Sequence, residues 1–197
     1  MRTDPVPQPC VVWFTGLSGA GKTTIAELAA RELKARGTRV FLLDGEVVRK
    51  GLSSDLGFSA ADRAENLRRA AEVAALLADS GLIVLAAFIT PLAVDRARIR
   101  ARLRQYAFVE AFVSTPLDVA ERRDPKGPYR RARSGELLEF TGIDSLYEVP
   151  DNPELRLDTT TMTADLLARV VTEEVLRLEN RATWEGAAVP ATKARSA

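Results

Sequence analysis

The chain has 197 residues, 46% of them hydrophobic and 28% charged, with a formal net charge of +1. That length suits a single domain with a sizeable core, and the near-neutral balance gives no global attraction for nucleic acid or an anionic membrane. Histidine is absent and Cys10 is the only cysteine, which excludes His-based acid–base catalysis, Ser-His-Asp triads, ordinary zinc sites and an internal disulfide, and predicts a reducing, cytoplasmic setting. Any chemistry must run on carboxylates, Lys, Arg, hydroxyls and an oxygen-loving metal.

Residues 1–10 read as a polar, proline-containing N-terminal extension with no signal-peptide core. The apolar run over 11–15 predicts a buried strand. It leads into Gly16-Leu17-Ser18-Gly19-Ala20-Gly21-Lys22-Thr23, which meets every fixed position of G-x-x-x-x-G-K-[ST], and then into a helix over 22–36 closed by Gly37. Strand, glycine-rich loop and helix together are the setting in which backbone N–H groups and a helix N-terminus cradle phosphate. A glycine-rich turn with a chance lysine is the plainer alternative. On the functional reading Gly16, Ser18, Gly19, Ala20, Gly21 and Thr24 line the phosphates of a nucleoside triphosphate, Lys22 reaches the β- and γ-phosphates, and Thr23 holds Mg²⁺.

A second strand over 38–43 ends at Asp44-Gly45-Glu46. Carboxylates at a strand end, close to bound phosphate, can hold Mg²⁺ or take a proton from an attacking hydroxyl. The plainer alternative is a helix N-cap with a first-turn acid, and Asp44 can serve both purposes. A short helix over 47–50, a loop over 51–58 and a long helix to residue 79 follow, the last capped by Ser59 with Asp62 three residues on. The continuous apolar run 82–88 predicts a third strand covered on both faces, and it is too short to cross a bilayer. A helix from Pro91 through 103, a fourth strand over 108–113 and a helical turn over 116–121 come next.

A fifth strand at Leu155 and Leu157, a last helix over 164–179 and a loose tail over 181–197 complete the chain. Alternation of strands and helices predicts a three-layer α/β/α sandwich around a mainly parallel five-stranded sheet, a P-loop nucleoside-triphosphatase fold forming one domain over 11–180.

Arg49 and Arg63 flank the 51–58 loop and are candidate anion contacts, whereas Arg68 and Arg69 read as a solvated basic face. Phe58, taken alone, reads as a core residue rather than a base-stacking platform. The segment 122–140 is charged, contains Gly and Pro, and shows little apolar periodicity. Its cluster Arg122-Arg123-Asp124-Pro125-Lys126-Gly127-Pro128-Tyr129-Arg130-Arg131-Ala132-Arg133 predicts a basic lid over transferred phosphate, with a plain solvated loop or an RNA-binding loop as alternatives.

With these pieces in place the sequence resembles the adenylylsulfate (APS) kinases. The carriers are the P-loop, Leu43-Asp44-Gly45-Glu46-Val47-Val48-Arg49, Asp55-Leu56-Gly57-Phe58-Ser59 and Asp62-Arg63-x-Glu65-Asn66. To these are added Phe88-Ile89-Thr90-Pro91, Arg123-Asp124-Pro125-Lys126-Gly127 and Phe140-Thr141-Gly142-Ile143-Asp144. The resemblance implies transfer of the ATP γ-phosphate to the ribose 3′-hydroxyl of adenylylsulfate. It implies that Phe58 and Phe140 sandwich the acceptor adenine, and that Arg49, Arg63, Asn66 and the backbone at Ile89 and Thr90 meet the phosphosulfate. Asp44 then handles the hydroxyl with Glu46 in support, Arg123 and Lys126 sit on the lid near ATP, and Thr23 with Asp44 holds Mg²⁺. The partners implied are small nucleotides, without nucleic acid or membrane, and a second copy of the chain in a homodimer.

The sequence departs from the family pattern at Glu46, Lys50, Ser53, Ala87, Thr90, Leu92, Ala93 and Leu138, mostly around the acceptor and lid, so a kinase with a changed nucleotide- or nucleoside-like acceptor is a second reading. A GTPase-type switch is a third: Asp124 to Gly127 spells D-x-x-G, although no guanine-reading N-K-x-D follows. A silent nucleotide-binding module is a fourth, opposed by intact Lys22, Thr23 and Asp44.

Overall fold

The computed structural model describes residues 9–124 and 127–186. Its centre is β1 (Cys10–Thr15), whose six residues are all buried. Around it the sheet runs in the order β2 (Val40–Asp44), β3 (Ile83–Ala87), β1, β4 (Ala107–Ser114), β5 (Leu155–Asp158). Every pairing is parallel, with Val11 opposite Val84 on one side and Cys10 opposite Ala107 on the other. From β1 the chain crosses outward to β2 and later returns to β4, so strand order reverses beside β1. The crevice outside the carboxyl ends at such a reversal is where ligands bind in this architecture.

Side chains alternate across a strand, and β1 uses both faces. Cys10, Val12 and Phe14 pack beneath α1 (Lys22–Ala35) and α7 (Ala164–Gly186), with Ile25, Leu33, Leu167 and Val171. Val11 and Trp13 face α3 (Ala60–Asp79) and α4 (Ala93–Arg102), where Leu67, Ile99 and Leu103 join them. The buried side of α3 is a stripe of alanines, Ala70, Ala71, Ala74, Ala75 and Ala78. Burial pushes the Cys10 thiol up to about 12, with the carboxylates of Glu179 and Glu174 adding to the effect. Among the described residues no helix is long and apolar enough to cross a membrane.

The predicted three-layer sandwich is present, and Ser59 caps α3 by accepting from the N–H of Asp62, as its spacing predicts. Several boundaries move. Helix α4 begins at Ala93 rather than Pro91, because the carbonyls of Thr90 and Pro91 accept from the Arg96 guanidinium and the chain is held extended before the first turn. Helix α7 runs on to Gly186, so the first six residues of the expected tail are helical; residues 187–197 and 1–8 lie outside the described residues.

The segment expected to lack regular structure contains the end of α5 (Leu117–Arg123) and a helix, α6 (Pro128–Arg133). Gly127, in the left-handed region, precedes Pro128 at the first helical position, and only Tyr129 and Ala132 turn inward. Two buried positions in one and a half turns are too few to register as apolar periodicity.

Candidate active site

The P-loop leaves β1 at Gly16, where φ is +144° and a Cβ would stand 2.7 Å from the carbonyl oxygen of Val113, so only glycine fits. Lys22, the first residue of α1, is buried and turns back into the loop. Its Nζ donates to the carbonyls of Gly16 (2.9 Å) and Leu17 (2.7 Å). Burial lowers its pKa to about 8, only partly opposed by Asp44. An ammonium held in a dry loop on neutral carbonyls is poised to exchange them for phosphate oxygens.

The protonated form binds a polyanion, and the folded pKa lies below the ordinary lysine value. The free protein therefore loses this cation as pH rises through about 8. We expect kcat/KM for ATP to be level below that pH and to fall about tenfold per unit above it, while kcat, set by the phosphate-bound form, persists to higher pH. A kcat/KM profile flat to pH 10 would contradict the assignment of Lys22.

Asp44 ends β2 and divides its two oxygens. Oδ1 accepts from the N–H groups of Glu46 (2.8 Å) and Val47 (3.3 Å), capping α2 (Gly45–Lys50), while Oδ2 accepts from Thr23 Oγ1 at 2.8 Å. The cap reading of Asp44 is realised through Oδ1, and Oδ2 faces the P-loop hydroxyl of Thr23. No cluster of three or more acidic, Cys or His residues able to hold a metal exists among the described residues. A hydroxyl and a single carboxylate oxygen fit Mg²⁺, which keeps several waters and completes its shell with substrate phosphates.

Opposite the P-loop the cleft, about 740 Å³, is lined by Asp44, Glu46, Arg49, Phe58, Arg63, Asn66, Ile89, Thr90 and Phe140. Phe58 is not a core residue: it is 54% exposed, with the Arg49 guanidinium 4.6 Å from its ring centre. Phe140 is half-buried and meets Tyr129 in a T-shaped contact with ring centres 4.9 Å apart. Arg63 ties the two ring-bearing segments together, donating to the carbonyls of Phe58 (2.7 Å) and Glu139 and to Thr141 Oγ1 (2.7 Å). Asp144 accepts from the N–H groups of Glu139 and Phe140, fixing that turn. Burial, and then the neighbouring Arg63 charge, lowers the Arg49 pKa. Asp62 faces Arg49, and Glu139 and Asp144 face Arg63, so this positive corner of the cleft is partly compensated within the protein. Asn66 is 5% exposed and its Oδ1 has no hydrogen-bond partner among the described residues.

Arg69 is more than a solvated charge. It donates to Asp55, Glu65 and the carbonyl of Leu52, pinning the 51–58 loop to α3, whereas Arg68 pairs with Glu65 alone. Arg123 reaches the P-loop side, donating to Thr159 Oγ1 (3.1 Å) and Thr159 O (3.1 Å). Lys126 lies outside the described residues. The basic cluster does not face itself unopposed: Arg122 pairs with Asp118, Arg133 with Glu121 and Arg131 with Glu136.

Tyr129 escaped the sequence reading. Its hydroxyl donates to the carbonyl of Ser18 at 2.9 Å, docking α6 on the P-loop. Its signal was a lone aromatic among arginines.

A glycine-rich loop at a sheet reversal, a buried lysine on its carbonyls and a shared hydroxyl–carboxylate pair define a P-loop nucleotide-binding protein. The sequence profile described as adenylylsulphate kinase matches residues 8–158. The chain is 59% identical over 152 residues to the adenylyl-sulfate kinase of Geotalea daltonii, covering 77% of this chain and 75% of that one. It is 57% identical over 166 residues to the bifunctional enzyme NodQ of Azospirillum brasilense, where the match takes up 84% of this chain but only 27% of that longer protein. The structure of the Mycobacterium tuberculosis APS kinase in complex with AMPPNP and APS superposes with a TM-score of 0.84 at 50% identity, covering 87% of this chain and 99% of that one. The chain belongs to the adenylylsulfate kinase family. It is an ATP-dependent kinase that phosphorylates a hydroxyl group.

Proposed function

We propose that the hydroxyl is the ribose 3′-hydroxyl of adenylylsulfate, which becomes 3′-phosphoadenylylsulfate. The observation that carries this reading is one cleft with two aromatic rings and two crowded guanidiniums facing Lys22 and Asp44. The rings suit a purine, the guanidiniums suit the phosphosulfate, and the remaining span delivers the ribose to the phosphate end.

Phosphoryl transfer depends on in-line placement and on neutralising the equatorial oxygens, more than on covalent help. Lys22 leaves its carbonyls to follow charge on the β–γ bridge, and the P-loop N–H groups hold the phosphates. Asp44 Oδ2 orients the attacking hydroxyl and accepts its proton, while Oδ1 keeps the carboxylate fixed by capping α2. Glu46, the second residue of that helix, supports the same corner. Thr23 and Asp44 would hold Mg²⁺, which when bound neutralises charge on the terminal phosphates. Arg123, and Lys126 on the same segment, are assigned to the ATP side.

The GTPase reading loses its supporting residue: Asp124 is committed to capping α6, accepting from the N–H groups of Tyr129 and Arg130, both at 3.1 Å. The deciding assay is ADP release with adenylylsulfate against a panel of nucleosides and nucleotides, run with ATP and with GTP. Preference for another acceptor would select the changed-acceptor reading, and no transfer to any would select the silent module.

Truncating Phe58 or Phe140 to Ala should weaken acceptor binding by roughly 1–3 kcal/mol, the usual worth of base stacking, with ATP binding little changed. Titration calorimetry with each ligand separates the two. Equal losses for both ligands would remove the rings from the acceptor site.

A further inference from the structure

Thr90 is buried at 1% exposure, yet φ is +45°, a left-handed conformation that a β-branched residue avoids. Backbone of this kind persists only where the surroundings over-determine it, and it concentrates at ligand sites. Here three parts of the fold converge on it. From β1, Trp13 Nε1 donates to Thr90 Oγ1 at 2.9 Å, and Thr15 Oγ1 donates to Ile89 O at 2.7 Å, with Thr90 O at 3.2 Å. From α4, Arg96 donates to Thr90 O at 3.1 Å, its own charge held by Glu110 at 3.1 Å, with both side chains buried. From the stretch that follows the Phe140 turn, Tyr147 Oη lies 2.9 Å from Thr15 Oγ1. Thr15 spends its single proton on the carbonyls, so Tyr147 is the donor in that pair.

The carbonyls of Ile89 and Thr90 are therefore turned away into the framework. Among the described residues neither N–H has a protein acceptor, and both residues line the cleft. We infer that Thr15, with Trp13, Arg96 and Tyr147 around it, is a positioning residue that holds the Ile89–Thr90 backbone with its N–H groups toward the acceptor anion. Tyr147 also ties the stretch that follows the Phe140 turn to the same point, so ring and backbone stand in fixed relation across the cleft. This inference rests on the proposed acceptor. None of the four side chains needs to touch substrate to act.

The test compares Thr15→Val, which keeps the volume and deletes the hydroxyl, with Thr15→Ser, which keeps the hydroxyl, and with Tyr147→Phe and Trp13→Phe. Adenylylsulfate and a non-hydrolysable ATP analogue are each titrated by calorimetry, and KM for adenylylsulfate and ATP is measured alongside. Losing shared hydrogen bonds should weaken adenylylsulfate binding about tenfold in Thr15→Val and about fivefold in Tyr147→Phe and Trp13→Phe. Thr15→Ser should stay within about twofold of wild type, and binding of the ATP analogue should hold within about twofold throughout. Parallel losses for both ligands, unchanged adenylylsulfate binding in Thr15→Val and Tyr147→Phe, or equal losses in Thr15→Ser and Thr15→Val would each overturn the positioning role. Wild-type protein that binds ATP but no adenylylsulfate would overturn the acceptor assignment, and this inference with it.

Discussion

Lys22→Met should lower kcat by at least roughly 10²–10³-fold, the usual cost of removing one group that stabilises transition-state charge, without lowering the melting temperature at pH 7. The two halves of this outcome share one cause. Burial holds the folded pKa near 8, below the ordinary 10.5. The folded state therefore binds this proton less well than the unfolded chain, and protonated Lys22 costs stability at every pH below about 8. That cost fades as pH rises from about 8 to 10.5 and is gone above it. A depression of that size corresponds to about 3 kcal/mol. Methionine keeps the methylene stem and removes the charge, while the carbonyls of Gly16 and Leu17 lose a donor, which takes back part of the gain. Turnover by stopped assay and melting at pH 7 and pH 10 test both halves. Near-wild-type turnover would remove Lys22 from the chemistry.

The second large effect belongs to Asp44, whose two oxygens do different work. Asp44→Asn retains an oxygen able to cap α2 but cannot take a proton, so turnover should drop roughly 10²–10⁴-fold at nearly unchanged stability. Asp44→Ala should lose as much activity and also about 1 kcal/mol of stability, because the N–H groups of Glu46 and Val47 lose their acceptor. Activity and melting curves on both variants resolve the roles. An asparagine variant within tenfold of wild type would leave Asp44 as a cap only.

What could be read from sequence was local. The P-loop, the carboxylate at the end of β2 and the Ser59 cap are each written within a few residues, and they stand where that writing puts them. What could not be read was set by neighbours distant in the chain. Phe58, taken alone, looked like core because aromatic residues usually are, and only the family resemblance pointed to the cleft; Arg69 pins the loop that Phe58 ends, which holds the ring out of the core. Helix α6 was hidden because its stability comes from docking Tyr129 on Ser18, more than a hundred positions away in the chain. The positive charge of the basic cluster, read from the sequence as a run of cations, is offset by Asp118, Glu121 and Glu136, acids that helical geometry and folding bring alongside. The left-handed Thr90 left no trace in a Phe-Ile-Thr-Pro string, since nothing in that string names Trp13, Thr15 or Arg96.

Cys10, sealed in the central strand with its thiol held far from ionisation, has a practical consequence. Thiol-directed dyes and spin labels attack the thiolate, and this protein presents almost none. An engineered cysteine at Leu138, 70% exposed on the cleft rim, would be the one reactive sulfur on the folded surface. The wild-type chain is thus already a silent background for site-specific spectroscopy. A single probe could follow the rim through the reaction without first stripping out a native thiol.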